Sequence, residues 1–275
     1  MSAYSPMMIA VAPNGARKQK ADHAALPITP IELAQTAVQC RDAGACMIHL
    51  HVRDQQGGHS LDVDAYRVAT AAVRKAVGDD LIIQVTTEAV GVYSIDQQIA
   101  MVQQLKPEAV SLAVRELCPT VEDEVRAARF FAWLEKERVA AQYILYSATD
   151  IARYDDLRRR GVIPGERVSV LYVLGRYTEG GASSALELLP MLAAADTEVI
   201  WSVCAFGATE ASCMLVAAGL GGHARVGFEN NMQLLNGAKA PDNSALVSQV
   251  ADNAINMQRS VASVSQARLL LGMQK

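Results

Sequence analysis

Two histidines, His49 and His51, lie in the apolar run CMIHLHVRD at residues 46–54. Side chains alternate faces along a strand, so both imidazoles point one way while Leu50 points the other. Two imidazoles on one face make half a site for zinc or a similar divalent ion. Such an ion needs a third ligand, usually a carboxylate, and an open position if it is to do chemistry. Glu229, in the run RVGFENN at 225–231, ends another strand-like stretch and is the candidate third ligand. The same residues also suit a plainer arrangement, hydrogen-bonded histidines and a carboxylate at strand ends, and spacing alone leaves both open.

For the three to meet, distant strand ends must converge. Residues 7–12, 46–51, 81–86, 109–113, 142–147, 168–173, 198–204 and 224–228 read as strands. Helices are expected between them at 29–43, 62–77, 95–105, 121–138, 149–160, 184–194 and 208–219. The first has an explicit start signal, with Thr29 as cap, Pro30 at the first helical position and Glu32 closing a capping box. This alternation predicts an α/β fold, a closed (β/α)8 TIM barrel. Catalytic groups in such barrels gather at the C-terminal strand ends. The second and eighth strands both flank the first, so His49, His51 and Glu229 would be about 10 Å apart at the backbone, close enough for inward side chains to share an ion. No linker divides the chain, so residues 1–275 are read as one barrel domain. Its C-terminal helical extension has stretches at 243–257 and 260–271, the last of which would pack on the barrel or on a partner subunit.

The composition narrows the business of this chain. A net charge of −4 and a pI near 5.8 give no electrostatic case for nucleic acid or an anionic membrane. Five cysteines without a paired spacing argue for reduced thiols, and residues 1–6 lack the basic and apolar segments of a signal peptide. No apolar stretch reaches the length of a membrane span, so a cytoplasmic protein acting on small molecules is expected. Neither GxGxxG nor GxxxxGK[ST] occurs, so no dinucleotide or nucleoside triphosphate is indicated.

VAPNGA at 11–16, TP at 29–30, IHLHVRD at 48–54, QVTT at 84–87 and GGHARVGFENN at 221–231 together resemble the β-keto acid cleavage enzymes. The resemblance runs in order over essentially the whole chain. It implies a zinc-dependent barrel, usually a dimer or tetramer, that turns a β-keto acid and acetyl-CoA into acetoacetate and a new acyl-CoA. It matches His49, His51 and Glu229 to the metal ligands, Arg225 to a residue beside the acid-base group, and Thr86 to a hydroxyl near the substrate. Two departures stand out. Arg17 replaces an acid expected where an amine-bearing substrate must be held, which points to a neutral or acidic side chain. Asn230 replaces an aspartate assigned to proton transfer, and since Asn cannot act as a base, Glu116 is the candidate replacement, with Glu88 second.

The remaining candidates each have a plainer reading. Arg17, Arg53 and Arg115 follow strand ends, where they could hold a carboxylate or coenzyme phosphates or serve as solvated charges. Asn14, Gly15, Thr87 and Asn230 are candidate substrate contacts, although Asn-Gly is also ordinary turn chemistry. Arg176 could shape a coenzyme channel. His223 falls at the opposite strand end, His23 and His59 sit in polar loops, and Cys204 reads as a buried thiol with no histidine to activate it. The rival functions are a metal-dependent hydrolase, which would need further histidines at later strand ends, and a non-catalytic barrel in which zinc only staples two strands.

Overall fold

The first helix begins where its capping signal falls. In the computed structural model, which describes residues 4–178 and 182–273, α1 spans Pro30–Asp42. The Thr29 hydroxyl accepts from the Glu32 N–H, and the Glu32 carboxylate accepts from the Thr29 N–H. The same logic sets α2 (Val63–Val77), whose Asp62 cap accepts from Ala65 and whose Tyr66, Ala69, Val73 and Val77 form the buried stripe.

Before α1 comes β1 (Ile9–Val11), and between α1 and α2 lie β2 (Met47–His49) and a small hairpin of β3 (Val52–Arg53) and β4 (His59–Ser60). The chain continues through β5 (Ile82–Thr86), α3 (Ile95–Leu105), β6 (Ala109–Ala113), the short α4 (Val114–Leu117) and α5 (Glu124–Lys136). Then follow β7 (Ala140–Leu145), α6 (Ala148–Arg159), β8 (Ser169–Leu174), α7 (Leu188–Ala194), β9 (Ile200–Ala205), α8 (Glu210–Gly219) and β10 (His223–Val226). Eight of these strands close into a parallel barrel in the order β1-β10-β9-β8-β7-β6-β5-β2. Every residue of β5, β6 and β8 is buried, as expected where helices cover one face of a parallel sheet and barrel-filling side chains the other. The tail forms α9 (Asn243–Asn256), packed on α1, α8 and β1, and α10 (Val264–Leu270).

Two strand ends differ from expectation in ways that shape the site. β2 stops at His49: the Leu50 N–H on the Gln84 carbonyl is its last rung to β5, and the chain then turns into a hairpin. The segment expected as a loop after it is the β3–β4 hairpin, closed by Asp54 accepting from the Gln56 and Gly58 amides. β10 likewise ends at Val226, since Gly227 has φ +138° and an added Cβ would fall 2.4 Å from the Ala12 carbonyl oxygen. Only glycine fits that crossing.

Candidate active site at the barrel mouth

β1 pairs with β10 on one side and β2 on the other, with Val11 opposite both Val226 and Ile48. That register sets the ends of β2 and β10 on either side of β1, and the three candidate ligands meet there. His49 Nε2 and His51 Nε2 are 3.2 Å apart, and Glu229 Oε2 lies 3.7 Å from the first and 3.3 Å from the second. Gly15, with φ +59°, makes room for this, because a Cβ there would stand 2.6 Å from Glu229 Cγ.

Each ligand is oriented by a second partner. His49 Nδ1 lies 2.8 Å from Gln84 Oε1, and a run from Ser169 through Gln142 to Gln84 fixes that amide. A carboxamide oxygen only accepts, so Nδ1 carries the proton and Nε2 presents a lone pair. His59 Nε2 is 2.8 Å from the Glu88 carbonyl oxygen and must donate to it, leaving His59 Nδ1 as the acceptor for His51 Nδ1 at 3.3 Å. His51 Nε2 is thereby bare as well. Asn14 spans the His51 backbone, donating to its carbonyl at 2.9 Å and accepting from its N–H at 3.3 Å. Arg225 donates to Glu229 Oε1 at 2.9 Å and to Cys204 Sγ at 3.4 Å.

The electrostatics keep His49 and Glu229 unprotonated. Burial first, then the Arg225 charge, push His49 down to about 3. Burial and the neighbouring His51 do the same to His59. Burial opposes ionisation of Glu229, but Arg225 and the histidines outweigh it and hold the carboxyl well below its usual range. Glu229 Oε2 is buried and receives no hydrogen bond among the described residues. A buried carboxylate oxygen without a donor is costly unless a cation faces it, and two imidazole lone pairs aimed at the same point satisfy the donor set of a divalent ion. The residues present therefore fit such an ion, which His49, His51 and Glu229 would hold.

A cavity of about 200 Å³ opens beside these ligands. Of the other residues singled out from sequence, Asn14, Gly15, Arg17, Thr86, Glu88, Arg176 and Arg225 line it. Arg53, Thr87, Glu116 and Asn230 do not. The Arg53 guanidinium is occupied by the carbonyls of Asn14, Gly15, Lys18 and Gly57, so it ties the β1–α1 loop to the hairpin. Thr87 is buried and its N–H donates to the Ser111 carbonyl. Glu116, on the unexpected α4, accepts from the Ala89 N–H, and burial raises its carboxyl. The carboxylate that does reach the cavity from this side is Glu88. Asn230 is buried, with neither side-chain polar atom hydrogen-bonded among the described residues. Arg115 is paired with Asp150 at 2.6 Å. The Cys204 thiol, pushed up to about 11 by burial against the pull of Arg225, stays protonated.

Sequence reasoning passed over several participants. His59, set aside as a loop histidine, holds His51. Lys18, Tyr146 and Phe206 line the cavity with no motif to announce them. Gln84 had a signal, a lone polar side chain within an apolar strand, and the register places it directly beside His49.

Comparison with known proteins identifies the family of this chain. The family model described as beta-keto acid cleavage enzyme matches residues 6–273. The 3-keto-5-aminohexanoate cleavage enzyme of Acetoanaerobium sticklandii is 29% identical over 279 residues, covering 98% of this chain and 99% of that protein. The 3-oxoadipate:acetyl-CoA acetyltransferase of Cupriavidus necator is 29% identical over 281 residues, covering 98% and 95%. Among solved structures, a "Ternary complex of ObcA with C4-CoA adduct and oxalate" superposes with a TM-score of 0.73 at 18% identity, over 90% of this chain and 67% of that one, a likeness of fold. A family match over nearly the whole length, on a barrel whose mouth gathers its histidine pair and glutamate, makes this chain an enzyme of the β-keto acid cleavage family.

Proposed function

We propose that this enzyme is zinc-dependent and condenses a β-keto acid that carries no amine with acetyl-CoA, giving acetoacetate and the acyl-CoA of the remaining chain. The observation that carries the reading is the convergence of two bare imidazole nitrogens and an unpaired carboxylate oxygen at the barrel mouth. Three protein donors leave room for substrate, whereas a structural zinc is closed by four, which favours catalysis over a staple. The hydrolase alternative lacks support, since among the described residues no histidine from a later strand lines the cavity.

Zinc, when bound there, supplies Lewis-acid stabilisation of the negative charge that develops on the keto acid. The chain's own groups do the rest. Glu88 is the cavity carboxylate outside the ligand set, so removal of the proton between the keto and carboxylate groups falls to it. The resulting carbanion attacks the acetyl carbonyl of the thioester and the coenzyme thiolate leaves. That thiolate adds to the original keto carbon, the bond from this carbon to the α-carbon breaks, and the proton returns to acetoacetate. Arg225, fixed by Glu229, offsets charge on the reacting oxygen, and Thr86 presents a hydroxyl at the cavity wall. Five free, buried thiols support a reducing, cytoplasmic setting, and assembly into a dimer or tetramer belongs to the same proposal. Among the described residues no helix is long and apolar enough to cross a membrane.

The test is to supply metal-analysed protein with acetyl-CoA and neutral, dicarboxylic and amine-bearing β-keto acids, and to assay acetoacetate by mass spectrometry. Metal-dependent acetoacetate from non-amine members supports the reading. Bound zinc with no acetoacetate from any member overturns it.

A further inference from the structure

The charges around the cavity do not balance. Among the described residues, Arg17, Lys18, Arg176 and Arg225 line it against two carboxylates, Glu88 and Glu229, an excess of two positive charges before any metal is counted. The pairing shows where the excess lies. Arg225 is taken by Glu229 at 2.9 Å. Arg17 and Arg176, from the β1–α1 loop and the segment after β8, reach the same oxygen of Glu88, Oε1, at 3.3 and 3.5 Å. One carboxylate oxygen between two guanidiniums leaves most of their donors unused among the described residues. The Lys18 ammonium makes no ion pair or hydrogen bond among the described residues, although its carbonyl is bound by Arg53. The Phe206 ring lies 5.0 Å from the Arg176 guanidinium and holds it as a flat cationic wall.

We propose that Arg17, Lys18 and Arg176 anchor the second carboxylate of a dicarboxylic β-keto acid, while its keto and first carboxylate oxygens face His49, His51 and Glu229. A dianion matches the excess, whereas an ammonium-bearing side chain would meet like charge, a juxtaposition that rejects the wrong ligand. The coenzyme's phosphates are anionic too, but a cavity of about 200 Å³ is smaller than the roughly 300–1,000 Å³ of pockets for drug-sized ligands, so it suits a short acid and not a nucleotide. This inference names the substrate class within the cleavage reading and rests on it for the reaction, though not for the anion site itself.

The test separates the two. Calorimetric titration of zinc-loaded protein compares adipate with hexanoate, and adenosine 3′,5′-bisphosphate serves as a probe for the coenzyme's anionic end. Adipate is expected to bind about tenfold more tightly than hexanoate, and this preference should fall to near parity in the double variant Lys18→Met/Arg176→Met while hexanoate affinity is unchanged. In Arg17→Glu the preference should shift towards 6-aminohexanoate. Equal binding of adipate and hexanoate by the unaltered protein overturns the proposal. So does a double variant that weakens the bisphosphate and leaves the adipate preference intact, because the cations would then serve the coenzyme. Adipate-selective binding without acetoacetate from any keto acid would sink the cleavage reading and still support the anion anchor.

Discussion

Glu229 and Glu108 stand at opposite ends of the barrel and are treated in opposite ways. Glu108, just before β6, accepts at Oε1 from Arg74 and from the Ile83 N–H, and at Oε2 from Arg268 at 2.9 Å. Both oxygens are used. Glu229, just after β10, has one oxygen on Arg225 and leaves the other to two bare imidazole nitrogens. The histidines repeat the contrast. His223, the first residue of β10, accepts from the Met8 N–H at 3.0 Å and so ties β10 to the chain before β1, whereas His49 and His51 each spend Nδ1 on orientation and keep Nε2 free. One end saturates its polar groups, and the other aims unsatisfied lone pairs at a single point. The first arrangement contributes stability, and the second costs stability that a bound cation would restore.

The sharpest way to break this contrast is at the top. His49→Ala should abolish zinc binding, read by elemental analysis, and lower acetoacetate formation by at least about a thousandfold, with folding intact. Retained metal and activity would return His49 to a structural role.

A second probe uses Glu210, which opens α8 at the mouth. Burial, opposed by hydrogen bonds from Asn231 and Gly227 and by the charges of Lys18 and Arg225, pushes its carboxyl up to about 8. The raised value means that the folded state holds this proton more tightly than the unfolded one. Its stabilising contribution is therefore full below about 4.5 and is lost as pH rises through 8. Glu210→Gln removes the titration, so its stability advantage over the parent should grow across that window, to at most on the order of 5 kcal/mol. Denaturant unfolding at pH 5, 7 and 9 measures it, and a constant difference would refute the assignment.

Smaller effects test orientation and the lower end. Gln84→Ala should weaken zinc affinity by roughly 10–100-fold, because it frees the His49 ring while leaving the ligand in place. Competition with a chelator reads this directly. His223→Ala should cost about 1 kcal/mol in unfolding without touching zinc affinity or turnover. A loss of metal in that variant would show that the two ends are not separable.

Much of this molecule is legible in its residues because short-range physics writes it there. Thr29-Pro30-Ile31-Glu32 is a helix start in any setting, and apolar runs alternating with helical spacing leave few architectures besides the barrel. The boundaries that moved did so for tertiary reasons: β2 makes its last rung to β5 at His49–Gln84 before the chain turns into the hairpin, and β10 ends at Val226 because the chain must cross the Ala12 carbonyl. Arg53 shows the limit for function. Its position after a strand suits a substrate contact, yet carbonyls from a loop near 15 and a turn at 57 converge on it and consume its donors. Glu116 and Glu88 were both candidates by position, and the short α4 ties one to the Ala89 N–H while the other lines the cavity.

The sequence by itself determined the barrel, the two-residue spacing that sets both imidazoles on one face, and the carboxylate type at Glu229, because these follow from periodicity and donor chemistry. Only the tertiary structure decided that His59 and Gln84 turn bare nitrogens towards Glu229, that Gly15 lets that carboxylate approach, and that Lys18 and Arg176 share a cavity with Arg17. Those pairings join residues from different strands and loops, and they exist only once barrel closure has fixed which strand ends are neighbours.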